Sequence, residues 1–292
     1  MKIGIPRALL YYNYRVLWTE FFKILGVETI VSPETNKQII SMGNKNSIDE
    51  ACYSSKIYIG HVAWLIGKCD KIFVPRFENT GIREDYCTRI IGIYDLVRNT
   101  FPDAPLLHAD TNYLFRKKEQ DAYISIGEQL GFPRETALTA YQSARTAHLT
   151  AHAAEIAAQD ALLNTSPRKI LLITHPYNAY DAAIGKNIAK YFADNNTTVI
   201  YAHLVADPPK TPRMYWKTNA DLMAGFEKYR PYVDGIILIS TFPCGPDSIF
   251  NEMILRTPTK KPTLNITIDE LDATAGLLTR LESFLDILEA RQ

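Results

Sequence analysis

GIILISTFPCGPDS, residues 235–248, joins an apolar run to a segment that contains glycine and two prolines. The isoleucines and leucine of the run do not alternate with polar residues, which is typical of a parallel strand covered on both faces. Gly245 and Pro246 then favour a turn into the first turn of a helix. The stretch predicts a buried strand followed by a helix, with Cys244 at the strand's carboxyl end, where open α/β sheets bind ligands.

The same alternation of strand-like and helix-like segments recurs on both sides of an alanine-rich stretch. That stretch, 113–164, predicts two helices interrupted near Gly131-Phe132-Pro133. Strands separated by helices imply parallel sheets. We predict strands at 2–5, 28–31, 71–74, 106–109, 169–174, 198–203, 235–240 and 263–268, with helices at 12–25, 48–66, 88–99, 182–193, 219–229, 247–255 and 273–289. The predicted fold is α/β: two Rossmann-like, doubly wound parallel-sheet domains, 1–112 and 167–292, joined by a helical connector, 113–166.

Composition excludes several classes of function. The 32 basic residues balance the 32 acidic ones, and no long basic run is present, so we expect no nucleic-acid partner. No apolar stretch approaches the roughly 18 residues of a membrane span, and the amino terminus lacks a secretory apolar region. We expect a cytoplasmic protein without a membrane partner. Four cysteines in such a protein favour metal binding or catalysis over a disulfide framework.

Three of the four cysteines fall at predicted loop-to-helix junctions, namely Cys52, Cys87 and Cys244. Backbone N–H groups at a helix amino terminus stabilise a sulfur anion, and thiolates are the ligands that iron–sulfur clusters require. Separations of 35 and then 157 residues exclude a local ferredoxin or zinc-ribbon spacing, so only the fold could bring the three together. The alternative is that each is an inert, small apolar residue, and we assign Cys69 that structural role.

Several other polar side chains are candidates for chemistry. His175 follows the strand 169–174 and is either a proton source beside the cysteines or a local cap. Asp269 and Glu270 end the strand 263–268, and we predict that they face the same cleft. For His61 a satisfied packing role is the better interpretation, and for Lys56 a solvated one.

Seven groups of residues, taken together, resemble one known family. They are IGIPRAL at 3–9; Cys52, Lys56 and GHV at 60–62; IFVPR at 72–76; Cys87, Gly92 and DLVR at 95–98; HPYNAYD at 175–181; CGPDS at 244–248; and TIDE at 267–270 with AGL at 275–277 and TRLE at 279–282. The family is that of the acyl-CoA dehydratase activase-related proteins. Its relatives include 2-hydroxyacyl-CoA dehydratase subunits, benzoyl-CoA reductase subunits and double-cubane cluster proteins.

The resemblance implies a cofactor and partners. In those relatives three cysteines bind a [4Fe–4S] cluster, or half of an [8Fe–9S] double cubane, between Rossmann-like domains, and the matching positions here are Cys52, Cys87 and Cys244, with Gly245 beside the last. An ATP-hydrolysing activator or reductase with its own iron–sulfur cluster supplies the electron. A homodimer is implied as well, because a double cubane needs two sets of three thiolates. This chain lacks GxxxxGK[ST] and would accept the electron.

The expected function is low-potential electron transfer or reduction of a small substrate at the cluster, as in a dehydratase-like oxidoreductase. One departure stands against it: residues 271–274 read LDAT where the family commonly has a histidine and a glutamate. Two alternatives therefore stay open. The chain could be a non-catalytic cluster carrier, or a cysteine-dependent oxidoreductase that uses Cys244 with His175 as its base.

Overall fold

The computed structural model describes residues 1–82, 84–164, 168–206, 214–270 and 274–291, the first two residues of the last range by backbone only. The chain divides into two compact units. Unit 1 comprises Met1–Ala153 with Tyr215–Lys217, and unit 2 comprises Ala154–Met214 with Thr218–Gln292. The boundaries 1–112, 113–166 and 167–292 remain a prediction. Residues 271–273, at the departure from the family pattern, lie outside the described residues.

Unit 1 contains two parallel sheets. Its strands are β1 (Lys2–Ile5), β2 (Glu28–Val31), β3 (Lys71–Phe73), β4 (Arg76–Asn79), β5 (Leu106–Leu107) and β6 (Asp110–Asn112). The main sheet has the order β2-β1-β3-β5, while β4 pairs with β6 alone. In the main sheet the order reverses between β1 and β3, because β2 lies on one side of β1 and β3 on the other.

The helices of unit 1 cover a core rich in aromatic side chains. They are α1 (Tyr11–Ile24), α2 (Lys37–Lys45), α3 (Tyr53–Leu65), α4 (Thr88–Ile91), α5 (Ile93–Thr100) and α6 (Glu119–Gln129), followed by α7 (Arg134–Leu162), which has residues in both units. Phe22 and Trp18 of α1 each meet the ring of Phe73 edge-on. These rings are buried, and such pairs stabilise a core beyond the area that they bury.

Helices α2 and α3 approach so closely that only glycine fits at their contact. A Cβ on Gly43 would lie 2.2 Å from the Lys56 carbonyl oxygen, and a Cβ on Gly60 would lie 2.1 Å from that of Ile39. Both distances are below any real Cβ contact, so an alanine at either position would force the helices apart. The two glycines therefore fix the position of α3.

Unit 2 contains one parallel sheet. Its strands are β7 (Lys169–Ile173), β8 (Thr198–Tyr201), β9 (Gly235–Thr241) and β10 (Thr263–Ile268), in the order β10-β9-β7-β8. Every residue of β7 and β9 is buried, as their unbroken apolar runs predict. The helices are α8 (Pro176–Ala179), α9 (Lys186–Asp194), α10 (Lys217–Tyr229), α11 (Gly245–Arg256) and α12 (Thr274–Glu289).

The predicted fold class is confirmed, since the sheets of both units are parallel and their strands alternate with helices. Several details differ from the sequence prediction, among them helices α2 and α8, which were not predicted. The helix predicted at 48–66 begins only at Tyr53, the helix predicted at 88–99 is broken at Gly92, and the pair β4–β6 was not predicted. In the part of the chain that is described, no helix combines the length and the apolar character that crossing a membrane requires.

Candidate functional site

The sheet of unit 2 reverses its strand order between β7 and β9. Strand β8 lies on one side of β7, whereas β9 and then β10 lie on the other. In open α/β sheets the crevice at the carboxyl ends of the strands, at such a reversal, is where ligands bind. His175 follows β7 and Cys244 follows β9, so the chain places a histidine and a cysteine at the two strand ends that flank this point.

Cys244 is the N-cap residue of α11, with φ −90° and ψ 105°. Its side chain does not cap the helix, and the residue is half-buried. Pro246 occupies the first turn, as its fixed φ and missing N–H favour. Among the described residues no atom lies within 4 Å of the position that a Cβ would take on Gly245, which leaves space beside this helix amino terminus.

A buried histidine–aspartate pair lies behind Cys244. His175 Nε2 and Asp247 Oδ1 are 2.7 Å apart, and the side chains are 3% and 5% exposed. Asn219 Nδ2 donates to the same carboxylate oxygen over 3.3 Å. Burial alone would raise the pKa of the Asp247 carboxyl, but the charge of His175 and hydrogen bonds from His175, Cys244 and Asn219 outweigh it, so the pKa lies below its ordinary value. Asp247 is therefore an anion held by its neighbours.

Four buried polar atoms around this pair make no hydrogen bond to any described residue. They are His175 Nδ1, Asp247 Oδ2, Asn219 Oδ1 and Thr174 Oγ1. Buried polar groups nearly always have a partner, so such a concentration indicates that water or a small polar ligand completes the site. Asp247 fixes one imidazole nitrogen, and the other has no partner among the described residues. The ring of Tyr177 stacks on His175 with centroids 4.9 Å apart and restrains its tilt.

Asp269 and Glu270 follow the edge strand β10 directly. The backbone N–H of Phe242 donates to the Ile268 carbonyl over 2.9 Å, which joins the loop that leads to Cys244 to the end of β10. Asp269 is half-buried and Glu270 is exposed. Both acidic residues thus lie at the same edge of the sheet as Cys244, while their catalytic role remains a prediction.

The two candidate cysteines of unit 1 also begin helices. Cys52 is the N-cap residue of α3 and Cys87 that of α4, both with extended backbone and without a side-chain cap. The Cys52 thiol lies 3.4 Å from the Ser55 hydroxyl. Arg89, two residues beyond Cys87, donates to the carbonyl of Glu50, two residues before Cys52. This bond ties the starts of the two helices to one another.

Cys69 has the structural role that we predicted. Its sulfur would lie only 2.6 Å from a Cβ on Gly4 of β1, and it contacts the Leu65 carbonyl at 3.5 Å. Burial raises the pKa of this thiol. Cys69 therefore fills space between β1 and α3, and it serves as a reference for the other three cysteines.

His61 and Lys56 both lie in α3, and only one of them matches its prediction. His61 is buried with both ring nitrogens bonded, Nδ1 to the Ser32 hydroxyl at 2.8 Å and Nε2 to the Thr35 hydroxyl at 3.0 Å. Burial, with a smaller effect of the Arg7 charge, lowers its pKa to about 3. Lys56 was predicted to be solvated and is only 6% exposed. That prediction was wrong because α2 packs over this part of α3.

A family profile identifies the chain. The profile of the CoA enzyme activase uncharacterised domain (DUF2229) matches residues 2–205, about 70% of the chain. The chain belongs to this family. The match confirms the resemblance to acyl-CoA dehydratase activase-related proteins and implies a partner enzyme. It includes Cys52, Cys87 and His175, whereas Cys244 and the acidic pair after β10 lie beyond it.

Other comparisons add little to the family assignment. A Zn(II)-bound mutant variant of AdcAII from Streptococcus pneumoniae aligns over 99% of this chain and 97% of its own, at 12% identity and a TM-score of 0.32. The Mn²⁺ complex of the SBP FpvC from Pseudomonas aeruginosa aligns over 99% and 95%, at 14% identity and 0.28. Scores this low support no inference about this member of the CoA enzyme activase domain family. A search of curated proteins found no match.

The candidate ligands of this family member, three cysteine thiols, are of the chemical type that binds iron–sulfur clusters. Within the described parts of each unit, no three His, Cys, Asp or Glu side chains are grouped as ligands of a metal ion. The three cysteines at N-cap positions nevertheless offer half-buried thiols at helix amino termini. The sequence did not predict the hydrogen bond between Asp247 and His175, nor that Asn219 donates to the same carboxylate. The proximity of Asp247 to Cys244 in CGPDS was the only signal.

Proposed function

We propose that this chain is an iron–sulfur protein of the dehydratase-activase-like superfamily, with Cys52, Cys87 and Cys244 as the ligands of a [4Fe–4S] cluster or of half a double cubane. Its function is low-potential electron transfer or reduction of a small substrate, with electrons from an ATP-hydrolysing partner that carries its own cluster. One observation supports the proposal above all others: each of the three cysteines is the N-cap residue of a helix and leaves that helix uncapped.

All three candidate ligands stand at helix amino termini. The first turn of a helix has backbone N–H groups without intrahelical partners, and its dipole stabilises negative charge. An N-cap side chain is the one best placed to accept from those groups. An uncharged thiol is a poor acceptor, and the capping residue of α2 is an asparagine, Asn36. Leu10 of α1 and Lys118 of α6 leave their helices uncapped as well, so what distinguishes the three cysteines is that each brings a possible metal ligand to a helix start.

The chain's own residues have roles beside the cluster, which supplies one-electron chemistry at low potential. Asp247 is held by His175 and Asn219 and thereby orders the polar side chains beside one candidate ligand. The reduction of a small substrate consumes protons as well as electrons. His175, with one nitrogen fixed by Asp247, supplies a proton to the space where the unpaired polar atoms lie.

A second candidate function rests on the link between Cys244 and Asp247. In a cysteine-dependent oxidoreductase the base lies next to the thiol, and the third residue lies behind the base. Here the carboxylate contacts both Cys244 and His175, so it occupies the place that the imidazole would need. The order of the three groups favours a role for Cys244 as a ligand over a role as a nucleophile activated by His175.

The proposal is tested by purifying the full chain without oxygen and measuring its iron and acid-labile sulfide. We expect about four of each per chain, a brown colour and a signal in electron paramagnetic resonance after reduction with titanium(III) citrate. Substituting alanine for Cys52, Cys87 or Cys244 should lower the iron content several-fold. Cys69→Ala is the matched control and should retain the metal, because that thiol packs against Gly4.

Three outcomes separate the candidates. Colourless wild-type protein without sulfide rules out the cluster, and if alkylation of Cys244 then abolishes a redox activity, the thiol enzyme is correct. A cluster that survives Cys244→Ala contradicts the assignment of this ligand. A stable cluster that passes no electrons to any substrate, with an activator and ATP present, indicates a carrier. Sedimentation of the holoprotein tests the homodimer.

A further inference from the structure

Unit 1 exposes three consecutive large apolar side chains. Tyr113, Leu114 and Phe115 form a single 3₁₀ turn directly after β6, and they are 47%, 61% and 76% exposed. Isolated apolar residues on a surface are ordinary, but a contiguous exposed group is typical of a protein interaction site. Ile82, 64% exposed in the turn that follows β4, extends the apolar surface at the same end of the β4–β6 pair.

The side chains of two buried asparagines hold the backbone of this turn in place. Asn79 of β4 and Asn112 of β6 are 4% and 3% exposed, and their side chains bond to each other over 3.2 Å. Asn79 Oδ1 accepts from the backbone N–H of Leu114, and Asn112 Oδ1 accepts from that of Phe115. Two buried asparagines thus hold the backbone of an exposed apolar segment.

The backbone closes the segment on its other side. Asn112 and Lys117 exchange two N–H to carbonyl hydrogen bonds of 2.8 and 2.9 Å across the turn. Arg116 adopts φ +59°, a left-handed conformation that non-glycine residues seldom take. Strain of this kind persists where the surrounding structure enforces it, and it concentrates at functional sites. The loop 113–118 is therefore a preformed projection and loses little conformational entropy on binding.

Positive charge borders the apolar side chains. Residues 116–118 are Arg, Lys and Lys, all exposed. Lys117 is paired with Asp110 at 2.7 Å. Across the described chain no ion pair involves Arg116 or Lys118. We propose that loop 113–118 docks a partner protein by inserting Phe115 and Leu114 into an apolar pocket whose rim is acidic.

The charge count favours a protein over a lipid surface. Binding to anionic membranes through basic residues takes clusters of roughly four to eight lysines or arginines. Only two unpaired cations adjoin this loop, and its fixed backbone suits a pocket of defined shape better than a fluid interface. The proposal is independent of the iron–sulfur cluster, because all of its residues lie in unit 1 and none is a candidate ligand.

Site-specific crosslinking on the full chain tests the proposal. The photoreactive residue p-benzoylphenylalanine is placed at Leu114 and, as a control, at Leu149, an apolar residue of α7 that is 51% exposed. Irradiation in an extract of the source cells should crosslink one protein through position 114 and not through position 149. That protein is then purified, and its dissociation constant for the full chain is measured by calorimetry.

The measured affinities decide the outcome. Phe115→Ala should weaken binding by at least about 30-fold, as expected for an aromatic anchor. Arg116→Glu should weaken it about tenfold at low salt and less at high salt, whereas Leu149→Ala should leave it unchanged. The proposal is overturned by equal affinities, by the absence of a crosslink specific to position 114, or by a crosslink to a second copy of this chain. Binding to phosphatidylcholine–phosphatidylserine vesicles that Phe115→Ala abolishes overturns it in favour of a membrane.

Discussion

Two buried histidines, one in each unit, differ in how completely they are hydrogen-bonded. His61 in unit 1 and His175 in unit 2 are both almost inaccessible to solvent. His61 bonds through both ring nitrogens to the hydroxyls of Ser32 and Thr35. His175 bonds through Nε2 to Asp247, and its Nδ1 has no partner in the described part of the chain.

The comparison teaches that burial alone does not distinguish a structural histidine from a functional one. Both ring nitrogens of His61 are hydrogen-bonded to hydroxyls, so it has neither a lone pair nor a proton available for other chemistry. His61 therefore has the structural role of linking the residues after β2 to α3. An imidazole that is hydrogen-bonded through only one nitrogen has a fixed orientation and can still form a hydrogen bond or exchange a proton through the other nitrogen. Substitutions around the two histidines should therefore differ in their effects on stability.

The largest effect is expected from removing the partner of His175. Asp247→Ala leaves His175 Nε2 and Asn219 Nδ2 buried without their shared acceptor, and each such group costs about 1–3 kcal/mol of unfolding free energy. Urea denaturation followed by circular dichroism measures the loss. Asp286→Ala, at an exposed position of α12, is the control and should change stability by less than about 0.5 kcal/mol. A small loss in Asp247→Ala would contradict the dependence of His175 and Asn219 on this carboxylate.

Acid should destabilise the chain through His61. Its folded pKa is depressed to about 3, whereas an unfolded histidine has a pKa of about 6.5, so the unfolded state binds the extra proton. Stability is therefore lost as pH falls below 6.5, by about 2 kcal/mol between pH 7 and pH 5. Denaturation midpoints across this range measure it. His61→Gln should flatten the difference, and an equally steep profile in that variant would contradict the assignment.

A smaller loss should follow the removal of one hydroxyl from His61. Ser32→Ala leaves Nδ1 buried without a partner and should cost about 1–3 kcal/mol. The reciprocal test in unit 2 is Thr174→Ala, which deletes a buried hydroxyl that has no partner among the described residues and should cost less. Parallel urea titrations give the two values, and a greater loss from Thr174→Ala would reverse the comparison.

The smallest effect separates a helix cap from a candidate ligand. Asn36 caps α2 by accepting from the N–H groups of Gln38 and Ile39, so Asn36→Ala should cost about 1 kcal/mol. Cys52→Ala at the start of α3 removes no cap and should change the stability of the metal-free protein by less than about 0.5 kcal/mol. Thermal unfolding resolves this difference. An equal cost for both would make Cys52 a structural residue.

The sequence predicted what local patterns determine. Apolar runs located β7 and β9, and the cysteines were correctly expected at helix starts. Strand β6, Asp110–Asn112, has no apolar pattern, since it forms through pairing with β4 and through the amides of Asn79 and Asn112. Its neighbour, the exposed turn 113–115, fell within a stretch predicted to be helical.

The candidate site was predictable only in part. His175 and Asp247 are 72 residues apart, and their contact depends on β7 and β9 being adjacent, which periodicity does not determine. Asn219, near the start of α10, gave no signal because its role is defined by the aspartate that it contacts. Residue types and strand ends were available from sequence, whereas the bonds between them required the fold.

The contact between α2 and α3 has a consequence for Cys52. The backbones of α2 and α3 are in contact at Gly43 and Gly60, so α3 cannot slide or rotate against α2 without a clash. Any adjustment around the first residue of α3 must then come from the loop that precedes it, residues 46–51, and from side-chain torsions. If Cys52 binds the proposed cluster, the rigid contact between α2 and α3 would limit movement of that ligand on electron exchange and so keep the reorganisation energy small.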